Sequence, residues 1–216
     1  MKKYKIIYAD PPWDYKDKRD KHPRLCGGAS AHYVTTPTKD LAQLDVASIC
    51  DTDCMLFMWV TFPTLPDAIS LISSWGFKYK TLGFSWIKLN KKNLKPFFGI
   101  GYYTKSNCEC CLIGVKGKPI KISDSVSSVI IEPRMEHSKK PTTARDRIVQ
   151  LCGDVPRLEM FCRGSAEGWD VFGNEAENSI EIPIKGSANF NINQQTHGGQ
   201  SVSQPAPNCL TATSPC

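Results

Sequence analysis

Asp10, Pro11, Pro12 and Trp13 follow directly on a short apolar stretch, Tyr4-Lys5-Ile6-Ile7-Tyr8-Ala9. A carboxylate, two residues without a backbone N–H and a flat indole are an odd end to a strand if only stability matters. They suit another task, holding the exocyclic amine of a nucleobase. Such an amine is a poor nucleophile because its lone pair is delocalised into the ring. To accept a methyl group it must move toward tetrahedral geometry. Acceptors at its two N–H bonds favour that change and the positive charge that develops. The Asp10 carboxylate can be one acceptor and the Pro11 carbonyl the other. Pro12 disfavours helical backbone at Pro11, so this carbonyl is set in place beforehand. Trp13 can stack on the base, a contact worth about 1–3 kcal/mol, and a base in a duplex would first be flipped out. The same four residues also make an ordinary surface turn, in which Asp bonds its own backbone. The strand ahead of them tips the balance, because ligands of open α/β sheets bind beyond the carboxyl ends of strands.

The rest of the pattern predicts the elements that hold this turn. Tyr4–Ala9 reads as a first buried strand, and 14–38 as a long mobile loop directly after the site. Lys39–Ile49 reads as one short helix, with Leu41, Leu44 and Ile49 inward. Cys54–Val60 is near-continuously apolar, as in a strand covered on both faces. Leu65–Trp75 has helical spacing, with Thr64 as N-cap and Gly76 as stop. Leu82–Leu89 and Glu109–Val115 read as strands. The connection 90–104 and its continuation hold Lys91, Lys92, Lys95 and Lys105 among Phe97, Phe98, Tyr102 and Tyr103. That mixture suits single-stranded or flipped nucleic acid, although a solvated loop has the same composition. Ile130–Pro141 reads as a polar loop, Thr142–Cys152 as a helix, and Arg157–Cys162 and Trp169–Phe172 as strands. Strands alternating with helices predict a wound α/β sheet.

Composition sets the outer bounds. The chain has 216 residues, 41% of them hydrophobic and 22% charged, which matches one globular domain. Its net charge of +6 fits a polyanionic partner without demanding one. No run approaches the ~18 apolar residues of a membrane span, and no signal peptide is evident at Met1-Lys2-Lys3-Tyr4. The ten cysteines lack the spacing of a disulfide framework, and Cys108-Glu109-Cys110-Cys111, read as a strand, splits its thiols between two faces. Reduced core thiols in a cytoplasmic protein are expected, with no metal site. Trp59, Trp75 and Trp86 read as core. From Glu177 onward Ser, Asn, Gln, Gly, Thr and Pro dominate, which predicts a domain over 1–176 and a disordered tail over 177–216.

Four segments in order resemble the MT-A seventy (METTL-type) family of adenine-N6 methyltransferases. They are Tyr8-Ala9-Asp10-Pro11-Pro12-Trp13; Phe57-Met58-Trp59-Val60-Thr61; Glu136-His137-Ser138-Lys139-Lys140-Pro141; and Leu158-Glu159-Met160-Phe161-Cys162-Arg163 with Gly168-Trp169-Asp170-Val171-Phe172-Gly173-Asn174-Glu175. The resemblance covers roughly residues 4 to 176. It implies a Rossmann-like, mostly parallel sheet with helices on both faces, and S-adenosylmethionine as methyl donor. It places Asp10, Pro11, Pro12 and Trp13 at the target amine, with Asp10 also beside the donor. Lys140 would meet the donor's carboxylate, Arg163 and Asn174 its ribose, and Glu175 its adenosine end. Tyr33 matches an active-site loop tyrosine, and Lys91 and Lys92 are the expected nucleic-acid contacts. Phe172 and Lys139 stand where the family often has tryptophan and arginine. The chain begins almost at the catalytic strand, and this compact build is similar to bacterial or phage members, which points to site-specific methylation of DNA rather than RNA. The N4 amine of cytosine offers nearly the same chemistry, and a catalytically silent nucleic-acid-binding partner is the reading from a different class. Oligomeric state is not legible.

Overall fold

The computed structural model describes residues 2–14, 35–99, 101, 103–135, 139–173 and 177–186. Its frame is a seven-stranded sheet in the order β5-β3-β4-β2-β1-β6-β7. The strands are β1 (Tyr4–Ala9), β2 (Cys50–Val60), β3 (Lys78–Leu89), β4 (Cys108–Lys116), β5 (Val129–Pro133), β6 (Arg157–Met160) and β7 (Asp170–Phe172). Only β4 runs against the others. The six parallel strands therefore end at one edge, and β4 begins there.

Alternation along the strands divides the core in two. Ile7 and Ala9 of β1 join Leu56, Met58 and Val60 of β2 on one face, covered by α1 (Thr38–Leu41), α2 (Val46–Ile49) and α3 (Leu65–Ser74). Ile6 and Tyr8 join Phe57, Trp59, Phe84 and Trp86 on the other, covered by α4 (Thr142–Cys152) through Ala144, Ile148 and Cys152. Helices thus lie on both faces, as expected of a Rossmann-like sheet. Trp59, Trp75 and Trp86 are all core residues.

β1 sits at the centre, with Ile7 paired to Leu56 of β2 and to Leu158 of β6. From β1 the chain winds outward through β2; from β6 it winds the other way, to β7. The boundary between β1 and β6 is the topological switch point, where a crevice forms beyond the strand ends.

Four expectations need correction. Residues 39–49 are not one helix: Leu44 pairs with Ile184, and Asp45 caps a second helix by accepting the Ser48 amide at 3.2 Å. β3 begins at Lys78 rather than Leu82. Val129–Pro133, expected to be largely loop, is an edge strand; only Ile130 is buried, so it carries little apolar signal, and Arg147 of α4 donates to the carbonyls of Ser127 and Val129. The chain also stays packed beyond Glu177. Ile182 is fully buried, Asp45 donates its amide to the Pro183 carbonyl and Lys185 its amide to the Gln43 carbonyl. Residues 187–216 lie outside the described residues.

Candidate active site

The Asp10–Trp13 turn leaves β1 at the switch point and is fixed by its own backbone. Asp10 donates its amide to the Met160 carbonyl of β6 at 3.3 Å, and Trp13 donates to the Pro11 carbonyl at 2.8 Å. The Pro12 carbonyl accepts the Thr36 amide at 2.9 Å. One lone pair of the Pro11 carbonyl is thus used within the turn and one remains. Trp13 is not a free stacking face: it is 4% exposed, packs in the core and donates its indole N–H to the Trp59 carbonyl at 3.0 Å. Its bulk anchors the turn. Thr35 donates to Asp14 at 3.4 Å; Tyr33 lies within 15–34, outside the described residues.

The Asp10 side chain is partly exposed and pairs with Lys140, Oδ2 to Nζ at 2.6 Å. Lys140 lies at the end of the segment leading into α4, mostly buried, with its ammonium 3.3 Å from Glu109 Oε2 and 5.7 Å from the centre of the Trp59 ring. Glu109, the second residue of β4, also pairs with Lys88 near the end of β3. Four alternating charges therefore run along the sheet edge: Lys88, Glu109, Lys140, Asp10. Burial pushes the Asp10 carboxyl above its ordinary value of 3.8; Lys140 opposes this and Glu109 adds to it. Burial would raise Glu109 too, but Lys140 and Lys88 together draw it below 4.5. Burial would lower the Lys140 ammonium, yet Asp10 and Glu109 lift it above 10.5. Lys140 therefore stays charged through the neutral range, and its third N–H is left for a further acceptor.

Lys88 and Glu109 were missed as site residues. A single carboxylate inside Cys-Glu-Cys-Cys-Leu-Ile was the available signal, since a charge in an otherwise apolar strand must find a partner. Cys110 and Cys111 face opposite clusters, and among the described residues no group of three or more His, Cys, Asp or Glu could hold a metal.

On the far side of the crevice β6 ends abruptly. Phe161 has φ +64°, a strained conformation for a non-glycine residue, and packs on Trp75 and Phe172. The bend carries Arg163 to the surface, close enough to Asp10 to help favour its ionised form. Glu159 of β6 is held by Arg145 through both oxygens at 2.7 Å. Gly173, where β7 exits, lies so close to the β6 exit that a Cβ would sit 2.2 Å from the Cys162 carbonyl oxygen. Asn174 and Glu175 follow immediately, outside the described residues. Lys91 and Lys92 are exposed at the same edge of the sheet, between β3 and β4.

A family model described as MT-A70 matches residues 4–175, spanning this whole constellation. The chain belongs to the MT-A70 family. It is 38% identical over 206 residues to a Mycoplasma sp. protein named Type II methyltransferase M.MunI, covering 88% of this chain and 85% of that one. It is 26% identical over 179 residues to METTL3 of Homo sapiens, an N(6)-adenosine-methyltransferase catalytic subunit, covering 81% of this chain and 28% of that one. A probable N(6)-adenosine-methyltransferase of rice is 27% identical over 184 residues, 84% of this chain and 24% of that one. The chain thus spans about a quarter of the length of the two eukaryotic relatives.

The described residues fit S-adenosylmethionine as an MT-A70 methyl donor. Lys140 and Arg163 bring cations and Asp10 a carboxylate to the crevice, charges opposite to those of such a molecule's carboxylate and sulfonium, and Gly173 keeps the strand exits close there.

Proposed function

We propose that this MT-A70 protein transfers a methyl group from S-adenosylmethionine to the N6 amine of adenine in DNA. The observation that carries the reading is the Asp10 carboxylate, held at the switch point by a turn with partnered backbone and paired with Lys140 at 2.6 Å. When bound, S-adenosylmethionine supplies an electrophilic methyl group on its sulfonium. Asp10 accepts one amine N–H, and the remaining lone pair of the Pro11 carbonyl accepts the other. Both acceptors are fixed in advance, so they stabilise charge that grows only toward the transition state. The raised pKa of Asp10 also suits it to take the proton the amine must release. Lys140 orients Asp10 and turns its third N–H to the donor's carboxylate; Arg163, Asn174 and Glu175 hold the ribose and adenosine end. Trp13 positions the turn, and Lys91 and Lys92 meet phosphates.

Adenine is favoured over cytosine by the N6-adenosine activity in the names of METTL3 and the rice relative. DNA is favoured by overall build: the chain matches the type II methyltransferase along most of both lengths. A cytoplasmic location goes with that substrate, and the seven described cysteines are all free thiols. Among the described residues no helix is long and apolar enough to cross a membrane. Incubation with labelled S-adenosylmethionine and separate DNA and RNA pools, then nucleoside analysis, tests the reading. Label in N6-methyldeoxyadenosine is expected; label in N4-methyldeoxycytidine, or in RNA alone, contradicts it.

A further inference from the structure

The described residues of 90–107 form an arm between β3 and β4 whose two legs start at the ion pairs of the site. Lys88 stands just before one leg and Glu109 just after the other. Leu89 and Pro96 bridge within the first leg, and the bridge between Gly99 and Ser106 ties the two legs. A Cβ on Gly99 would lie 2.8 Å from the Ser106 carbonyl oxygen, and one on Gly101 would lie 2.1 Å from that of Thr104, so the legs close tightly because these residues are glycine. Phe97 at the base lies under the Arg134 guanidinium, 4.0 Å from ring centre to carbon.

Beyond that base the rings are uncovered. Phe98 is 63% exposed and Tyr103 fully exposed, and Leu94 is also in water. Large apolar groups left together on a surface mark a binding surface. The charge says what binds: the arm carries Lys91, Lys92, Lys95 and Lys105 and no acidic residue. A polyanion with flat apolar faces answers both features. The arm also stands beside an acceptor that a paired, stacked adenine cannot reach. A base pulled from a duplex leaves a gap that a side chain can fill, and apolar side chains are able to wedge between base steps.

We propose that Phe98 and Tyr103 enter the base stack of duplex DNA beside the target adenine and keep it extruded toward Asp10, while the arm's lysines hold the flanking phosphates. This rests on the methyltransferase reading above and deepens it. The rings are then needed to open a duplex and are dispensable on DNA already open.

The test compares wild type with Phe98→Ala/Tyr103→Ala on the same genomic DNA, native and heat-denatured. The double variant should lose at least tenfold in kcat/KM on native DNA and less than twofold on denatured DNA. Its melting temperature and KM for S-adenosylmethionine should match wild type, because neither ring is buried. Phe98→Trp/Tyr103→Phe should restore activity on native DNA. Equal loss on both substrates, no loss on either, or a wild type active only on denatured DNA overturns the wedge. Loss that follows a change in oligomeric state does so too, by making the arm a subunit contact. A wild type that methylates neither substrate defeats the methyltransferase reading instead.

Discussion

At the scale of single residues, the charges around Asp10 decide when it ionises. Glu109 repels the Asp10 carboxylate while Lys140 attracts it. Replacing Glu109 with Gln removes the repulsion and leaves Lys140 to Asp10 alone, so Asp10 should ionise at lower pH. The acid limb of the kcat/KM profile should move down in Glu109→Gln. Stability moves the opposite way. Glu109 is drawn below its ordinary pKa in the fold, so its contribution is present above that value and is lost as pH falls through the folded one. The variant should therefore lose stability at neutral pH and little at low pH, read by urea midpoints across the range. Trp13 makes a second case. Trp13→Phe deletes the indole bond to the Trp59 carbonyl, which should cost about 1–3 kcal/mol of stability. A fall in nucleic-acid affinity with unchanged stability would restore the base-stacking role that burial denies it.

At the scale of elements, the crevice depends on β6 and β7 leaving the sheet in near contact. Gly173→Ala puts a methyl group into the Cys162 backbone. It should cost about 1–3 kcal/mol, the usual range for overpacking, and weaken S-adenosylmethionine binding measured by calorimetry. Elements with a strong periodic or continuous apolar signal were legible in the chain itself. β1 and α4 lie at the expected residues, and β2 extends the Cys54–Val60 run toward its start. β5 was not legible, since a parallel edge strand buries one residue and borrows its cover from Arg147. Nor was the bend at Phe161, because left-handed backbone at an aromatic residue is imposed by surrounding packing and leaves no local mark. Asp10 was singled out by its residue type at the end of a strand, and Lys140 and Arg163 through the family resemblance. Lys88 and Glu109 were not, because their importance comes only from register across β3 and β4.

At the scale of the whole molecule, a stretch that composition assigns to a tail completes the core. Ile182 lies in one cluster with Leu44, Val46 and Leu71. Ile182→Ala should cost about 2–5 kcal/mol, as for other fully buried aliphatic truncations. A chain ending at 186 should match the full chain in urea midpoint, and one ending at 176 should fall below it. Equal midpoints for all three would place the strap outside the folded unit. The strap shows why composition misleads here: the polar stretch that follows hides a short segment in which Ile182 is buried, Ile180 packs against the same cluster and backbone bonds tie it to Gln43 and Asp45. Site and arm share one edge of the sheet, where the six parallel strands end and β4 begins.

The most direct test of the central claim is single-turnover methylation of DNA by wild type and Asp10→Asn, with nucleoside analysis and a parallel titration of S-adenosylmethionine. Asparagine keeps the shape and removes the charge. The account predicts N6-methyldeoxyadenosine from wild type, a rate lower by about 10²–10³-fold in the variant, the range for deleting one fixed electrostatic partner of a transition state, and donor binding that persists. An Asp10→Asn protein that methylates adenine at the wild-type rate would contradict it.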